Sequence, residues 1–270
     1  MKNSFPSLSL VPDIQEVMNH AFRCPADSIP PVVLTLPYSV ELECFLNGLC
    51  DDLEKAELLR FTGDRRWLNF RLDYCVGTEF PSFSLMLECM HRHSGYRNEF
   101  GGVVRVDLTD WTGYTDDNRL DDSLAFIHDF SDRVLFIVSV STDDPRIAAA
   151  LKSKIRRWTN CVTADVAKPS AEVWTGYAAE RLSASGHLLT ADAQQLLSET
   201  VGVLSEQMHF AGMREINALV SAILNEIGSI RRISAKHMAA FSADGEWVAS
   251  HMDTEKFIIG FSGGNPNDRQ

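Results

Sequence analysis

From residue 31 the chain alternates short apolar runs with longer stretches whose apolar residues recur every three or four positions. Val32-Val33-Leu34-Thr35-Leu36 is short and uniformly apolar, as a strand buried on both faces should be. Residues 40–59 place Leu42, Phe45, Leu46, Leu49 and Leu53 at helical spacing with acids between them. The unit then recurs. Trp67-Leu68-Asn69-Phe70-Arg71-Leu72 alternates like a strand, and 83–93 predicts a helix stopped by Ser94-Gly95. Val103-Val104-Arg105-Val106-Asp107-Leu108 predicts a strand, 120–130 a helix, 134–140 a further strand, and 145–157 a helix with Pro145 suited to its first turn. Strands alternating with helices imply crossover connections, hence an α/β fold with a mostly parallel sheet covered by helices on both faces.

After Pro169 the pattern predicts helices alone. Ser170 is an N-cap for 170–183 with Gly186 past its end, and Thr190 caps 191–207 with Asp192 in the first turn. A third helix covers 213–227 before Gly228, and Ser234 caps a short fourth, 235–241. Four helices in so short a stretch predict a separate bundle. A break is expected at Lys168-Pro169, because the residue before proline is biased away from helix. Residues 1–30, with prolines at 6, 12, 25 and 30 around one short helix at 14–22, are expected as an N-terminal arm or linker. The organisation is therefore arm 1–30, α/β domain 31–168, helical domain 169–241, and a tail 242–270 holding one strand at 257–261.

Composition narrows the class. With 45% hydrophobic and 23% charged residues the chain has an ordinary globular balance. No apolar run approaches the roughly 20 residues of a membrane helix, and the N-terminus lacks the apolar stretch of a signal peptide, so a cytoplasmic protein without membrane contact is expected. The cysteines (Cys24, Cys44, Cys50, Cys75, Cys89, Cys161) form no C-x-x-C pair and are read as reduced thiols. A net charge of −12 repels phosphate backbones, which disfavours nucleic acid as the main partner. The one basic cluster, Lys152, Lys154, Arg156 and Arg157, could equally be the solvated face of a helix.

A strand–helix alternation of five strands followed by a four-helix lid resembles the AAA+ ATPase module, a fold of P-loop NTPase type. The carrying stretches are Tyr177-Ala178-Ala179-Glu180-Arg181-Leu182, then Gly186, Leu189-Thr190-Ala191-Asp192-Ala193, and Phe210-Ala211-Gly212-Met213-Arg214-Glu215-Ile216. Their order and spacing are similar to the lid of the branch containing Rubisco activase-like and sporulation-type ATPases. The resemblance covers 170–240 and, more weakly, extends upstream to residue 31.

Members of that family hold triphosphate with a glycine-rich loop, a lysine and a Ser/Thr hydroxyl on Mg²⁺. This sequence contains no Gly-Lys pair. Laid on the family pattern without gaps, Leu36 to Glu43 occupies the loop, with Leu42 at the lysine and Glu43 at the hydroxyl. A carboxylate there repels triphosphate, and side chains stand where phosphate must approach backbone. Asp107 matches the metal-associated acid of the Mg²⁺-binding strand, but Leu108 stands where a glutamate would polarise the attacking water. Asp107 could equally be no more than the end of a buried strand. Ser139, Ser141 and Thr142 match loosely the polar position that senses the γ-phosphate. Lys154 falls at the place of the arginine finger, keeping charge without the planar fork. Arg214 matches the lid arginine that contacts nucleotide, though an arginine in a first helical turn is often structural.

The resemblance thus implies a vestigial nucleotide site (Leu42, Glu43, Asp107, Leu108, Ser141, Arg214) with no catalytic residue, and an inter-subunit contact at Lys152, Lys154, Arg156 and Arg157. The expected function is a catalytically inactive AAA+-like protein that needs no cofactor. It would act by contact with another protein, as a non-hydrolysing subunit or adaptor of an ATPase assembly. The alternatives are a weak ATPase using ATP and Mg²⁺ through unorthodox residues, and a clamp-loader-like or transposition-like DNA-associated module. Cys89-x-His91-x-His93 is set aside as a metal site because residues two apart on a helix point to different sides.

Overall fold

The computed structural model describes residues 5–23, 28–72, 81–93, 100–114, 117–142, 144–207 and 210–253. The expected strand at 257–261 and the helix stop at Ser94-Gly95 lie outside these residues. The chain divides into two compact units, Met1–Lys168 and Pro169–Gln270.

In the first unit the apolar runs form one sheet: β1 (Val32–Leu36), β2 (Trp67–Arg71), β3 (Gly102–Asp107), β4 (Val134–Ser141) and β5 (Val162–Asp165). The order is β2-β3-β4-β1-β5 and every pair is parallel. Four strands sit where periodicity puts them. The fifth, Val162-Thr163-Ala164-Asp165, is too short and too mixed to carry a pattern of its own. The helices are α1 (Pro12–Ala21), α2 (Glu43–Lys55), α3 (Pro81–His93), α4 (Asn118–Asp129) and α5 (Pro145–Trp158). Asp144 caps α5, its Oδ1 accepting from Arg146 N–H at 2.8 Å, with Pro145 in the first turn.

Alternation along the strands separates two faces. Val104, Val106, Phe136, Val138 and Val33 share one core with Met86 and Met90 of α3, Leu120 and Leu124 of α4, and Leu151 and Ile155 of α5. The other face is covered by α1 and α2. There, residues 1–30 differ from the arm expected of them. A 3₁₀ turn (Pro6–Leu8) and α1 bury Phe5, Leu8, Ile14 and Met18 completely, and Ser7 N–H donates to Asp52 Oδ2 at 3.0 Å. Ile14, Val17, Met18 and Ala21 recur at helical spacing, giving α1 an apolar stripe against β1 and β5. Pro6 and Pro12 open the 3₁₀ turn and α1, positions where the missing N–H costs nothing.

Burial pushes the Cys50 thiol up to about 12, which keeps it protonated and inert. Cys44 is exposed, and the cysteines within the described residues are unbridged. Among the described residues no helix is long and apolar enough to cross a membrane.

No helix runs through Pro169. The second unit opens with α6 (Ala171–Ala184), where Ser170 Oγ accepts from Val173 N–H at 3.4 Å, and continues with α7 (Ala191–Ser205), where Thr190 Oγ1 accepts from Ala193 N–H at 3.3 Å. Then come α8 (Met213–Ile227) and α9 (Ala235–Met238), the latter running into a 3₁₀ turn at Ala239–Phe241. Gly186 follows α6 at φ 86°, a conformation that glycine adopts without strain. The expectation of helices alone needs correction, because β6 (Leu188–Leu189) and β7 (Arg232–Ile233) pair in parallel. Two residues per strand are too few for alternation to show, and the ladder joins the loops that precede α7 and α9. A further helix, α10 (Glu246–Asp253), occupies what was read as tail, with the Trp247 ring 6.5 Å from that of Phe241.

Candidate functional site

In an open parallel sheet, ligands collect outside the carboxyl ends of the strands where neighbouring connections leave in opposite directions. Here that point lies between β1 and β4, since β1 leads through α2 to β2 at one side of the sheet and β4 leads through α5 to β5 at the other. The residues singled out from sequence in the first unit lie along these strand ends and on α2 and α5.

In the loop after β1 every residue of 37–42 has negative φ, whereas a concave row of backbone N–H groups needs a residue with positive φ. Val40 N–H donates to Pro37 C=O at 3.0 Å, Cys44 N–H to Glu41 at 3.2 Å, and Phe45 N–H to Leu42 at 3.0 Å, so these donors are already used. Leu42 is 1% exposed and belongs to the core. Leu108 is fully buried in the apolar cluster beneath β3, so it turns away from the strand end where a water-polarising group would stand.

Glu43 and Asp107 are brought together by a residue that the sequence reading passed over. Arg105 lies two positions before Asp107 on β3, hence on the same sheet face, and its side chain is 8% exposed. Its Nη1 pairs with Glu43 Oε1 at the first turn of α2 and donates to Asn69 Oδ1 of β2 at 3.1 Å. Its Nη2 donates to Asp107 Oδ2 at 3.1 Å, and its Nε to Ser139 Oγ of β4 at 3.0 Å. One guanidinium thus ties α2 to three adjacent strands. Around it, Asn69 Nδ2 donates to Glu43 Oε1 at 3.1 Å, and Asp107 Oδ1 accepts from Thr109 N–H (3.0 Å) and Oγ1 (2.6 Å). Thr109 Oγ1 in turn accepts from Ser141 N–H at 3.0 Å. A buried charge is tolerable only when paired and hydrogen-bonded, and Arg105 has two carboxylates and two neutral oxygens to satisfy it. The signal was present in the sequence: an Arg-x-Asp at strand spacing inside an otherwise apolar run, beside Asn69 in a strand that alternates.

The cationic segment forms α5, and its two sides face different neighbours. Lys152 pairs with Asp165 of β5, and Arg156 Nη2 donates to Thr163 Oγ1 at 2.8 Å. On the other side Lys154 Nζ lies 3.2 Å from Asp121 Oδ1 of α4, which also accepts from Trp158 Nε1 at 2.7 Å. Lys152 and Lys154 have only 12% and 13% of their side chains exposed, whereas Arg156 and Arg157 are exposed. The hydrogen bond from Lys152 holds the Asp165 carboxyl below the usual carboxylate range. Burial pushes the Cys161 thiol up, against the opposing charge of Arg156. A cavity of about 670 Å³ lies here, lined by Thr35 and Thr142 at the ends of β1 and β4 and by Lys152, Arg156, Thr163 and Asp165. Arg214 belongs to the second unit, exposed in the first turn of α8.

The fold is that of AAA+ ATPase-like proteins. The Holliday junction branch migration motor RuvB of Thermotoga maritima superposes with a TM-score of 0.51 at 12% identity, over 94% of this chain and 76% of that one. A single-residue variant of the same RuvB gives a TM-score of 0.54 at 12% identity, over 92% and 76%. Domain III of the Thermotoga maritima replication initiation protein DnaA gives 0.51 at 13% identity, over 88% and 92%. No family model matches the chain, and no curated protein sequence matches it.

Proposed function

We propose that this chain is a non-hydrolysing AAA+-like protein that works by contact with another protein, an intact ATPase of the same fold being the expected partner. One observation carries the reading. In P-loop NTPases the Mg²⁺ ion sits between the hydroxyl that follows the loop lysine and the strand aspartate. At the matching positions of this chain stand Glu43 and Asp107, and the cation between them is the Arg105 guanidinium. A carboxylate in place of the hydroxyl makes sense beside a fixed positive charge and is a liability beside triphosphate. The buried Leu42 and Leu108 support the same reading, since core residues occupy the positions of the lysine and of the water-polarising glutamate. The two-unit organisation is part of the proposal, with 31–168 as the degenerate nucleotide-binding module and 169–241 as its lid. The proposed inter-subunit contact is α5, where Arg156 and Arg157 present charge outward while Lys152 and Lys154 are already paired within the chain. Calorimetric titration with ATP·Mg²⁺ tests the central claim. No saturable heat is expected up to about 1 mM nucleotide, corresponding to less than about 4 kcal/mol of binding. Micromolar affinity or measurable turnover would instead establish the weak-ATPase alternative.

A second reading, a DNA-associated module, takes its support from the similarity to RuvB, a Holliday junction branch migration motor, and to DnaA, a replication initiation protein. The charge of −12 weighs against it. Duplex titrated at 50 mM and 200 mM salt decides the matter: binding through phosphate contacts should fall by roughly a thousandfold or more across that range, whereas we expect none at either salt.

A further inference from the structure

β5 closes one end of the sheet, and among the described residues no strand pairs with its outer edge. Val162 N–H donates to Pro31 C=O at 3.0 Å and Val166 N–H to Thr35 C=O at 2.9 Å. In a parallel ladder the intervening residues at odd positions then turn their N–H and C=O outward, and these are Thr163 and Asp165. Along this edge runs a cavity of about 510 Å³ that is lined by all of Cys161–Asp165. Side chains of an extended strand alternate between faces, so five consecutive residues can border one cavity only along the backbone edge. The walls carry opposite charge. Asp13 and Glu16 of α1 stand with His20 on one side, Asp13 Oδ2 also accepting from Ala167 N–H at 3.1 Å. Arg156 of α5 stands on the other beside Asp165, whose charge Lys152 offsets where the hollow meets the larger cavity. Open edges are usually blunted or covered, because a row of unpaired backbone groups templates another strand. Here the edge is recessed between two charged walls with room beside it.

We propose that the outer edge of β5 is a docking groove for an extended segment of another protein. That segment adds as a sixth strand, with basic side chains toward α1 and acidic side chains toward α5. Strand addition takes its affinity from main-chain hydrogen bonds and its specificity from alternate side chains, and the walls dictate that alternation. The inference stands on the edge and its walls, so it holds whether or not the chain binds ATP.

The full-length chain should be titrated with a fluorescein-labelled peptide, acetyl-Lys-Glu-Val-Thr-Lys-Glu-amide, whose charges segregate by face when extended. Its isomer Lys-Lys-Val-Thr-Glu-Glu, with mixed faces, is the control. Anisotropy should give a Kd on the order of 100 µM for the first peptide and at least tenfold weaker binding for the second, with affinity falling as salt rises. In the free chain the Thr163 and Asp165 amides should exchange with solvent rapidly, and saturating peptide should slow them about tenfold or more. Thr163→Pro removes an outward donor and leaves the ladder to β1 intact, so it should abolish binding while thermal melting is little changed. Arg156→Glu, which keeps the backbone, should also weaken binding about tenfold and serves if the proline variant does not fold. Three results would overturn the proposal: no saturable binding up to 1 mM, binding that leaves both amides exchanging as before, or amides already protected in the free chain. The last would mean that the chain covers its own edge, and the charged walls would then be edge protection only.

Discussion

Replacing Arg105 by alanine should cost the folded chain about 3 kcal/mol, because Asp107, 17% exposed, is left as an uncompensated carboxylate, whereas Glu43, 38% exposed, is partly solvated. For a unit of this size that corresponds to a fall in melting temperature of roughly 10 °C. Arg105→Lys should recover only part of the loss, since an ammonium cannot hold Ser139, Asn69 and both acids with one planar fork. The alanine variant should also acquire a property that the parent lacks. Oxygen atoms of Glu43, Asp107, Asn69 and Ser139 would surround the vacated volume, a donor set suited to a hard cation. Millimolar Ca²⁺ should therefore raise the melting temperature of the variant and leave that of the parent unchanged. A loss below about 1 kcal/mol, typical of exposed pairs, would show that the cluster is a surface ornament and would remove the main support for the proposed function.

Leu42→Lys combined with Glu43→Thr restores the family's lysine and hydroxyl by name, and the expected outcome is no ATP turnover above background. The loop still lacks glycines and positive-φ residues, and Leu108 remains in the core. The double variant should also be destabilised by at least about 3 kcal/mol. Lysine at a 1%-exposed position buries an ammonium in apolar surroundings, and removal of Glu43 takes one of two carboxylates from Arg105. Turnover in a well-folded double variant would show that the loop has been placed wrongly or that the strand end supplies a base from elsewhere. Chemical denaturation beside a coupled phosphate-release assay separates the two effects.

The difference between what the sequence disclosed and what it hid follows from length and parity. β1, β3 and β4 were legible because they are apolar runs buried on both faces, and α6, α7 and α8 because Ser170, Thr190 and Gly228 punctuate them. The fifth strand of the expected sheet was not located, because the four residues of β5 with one exposed acid carry no period, and β6 and β7 were missed because two residues cannot alternate. The N-terminal segment was misjudged for another reason. Its prolines suggested a linker, whereas Phe5 and Leu8 are buried at a 3₁₀ turn too short to show a period, and Met18 by an apolar stripe on a helix only ten residues long. At the site, matching to a family pattern found Glu43 and Asp107 but treated each as a departure or a remnant. Their relation depends on a third residue that the pattern does not contain, and only the pairing of β2, β3 and β4 brings Asn69, Arg105 and Ser139 to one place.

A metal ion at the end of such a strand is borrowed from solution. It exchanges, competes with other ions, and leaves when a chelator or a falling nucleotide level removes what holds it. The positive charge at the end of β3 is instead part of the polypeptide, supplied once at synthesis and beyond the reach of either. Under the proposed function, Asp107 and Glu43 keep the Arg105 guanidinium as their cation at any magnesium concentration, and the strand end carries one fixed charge.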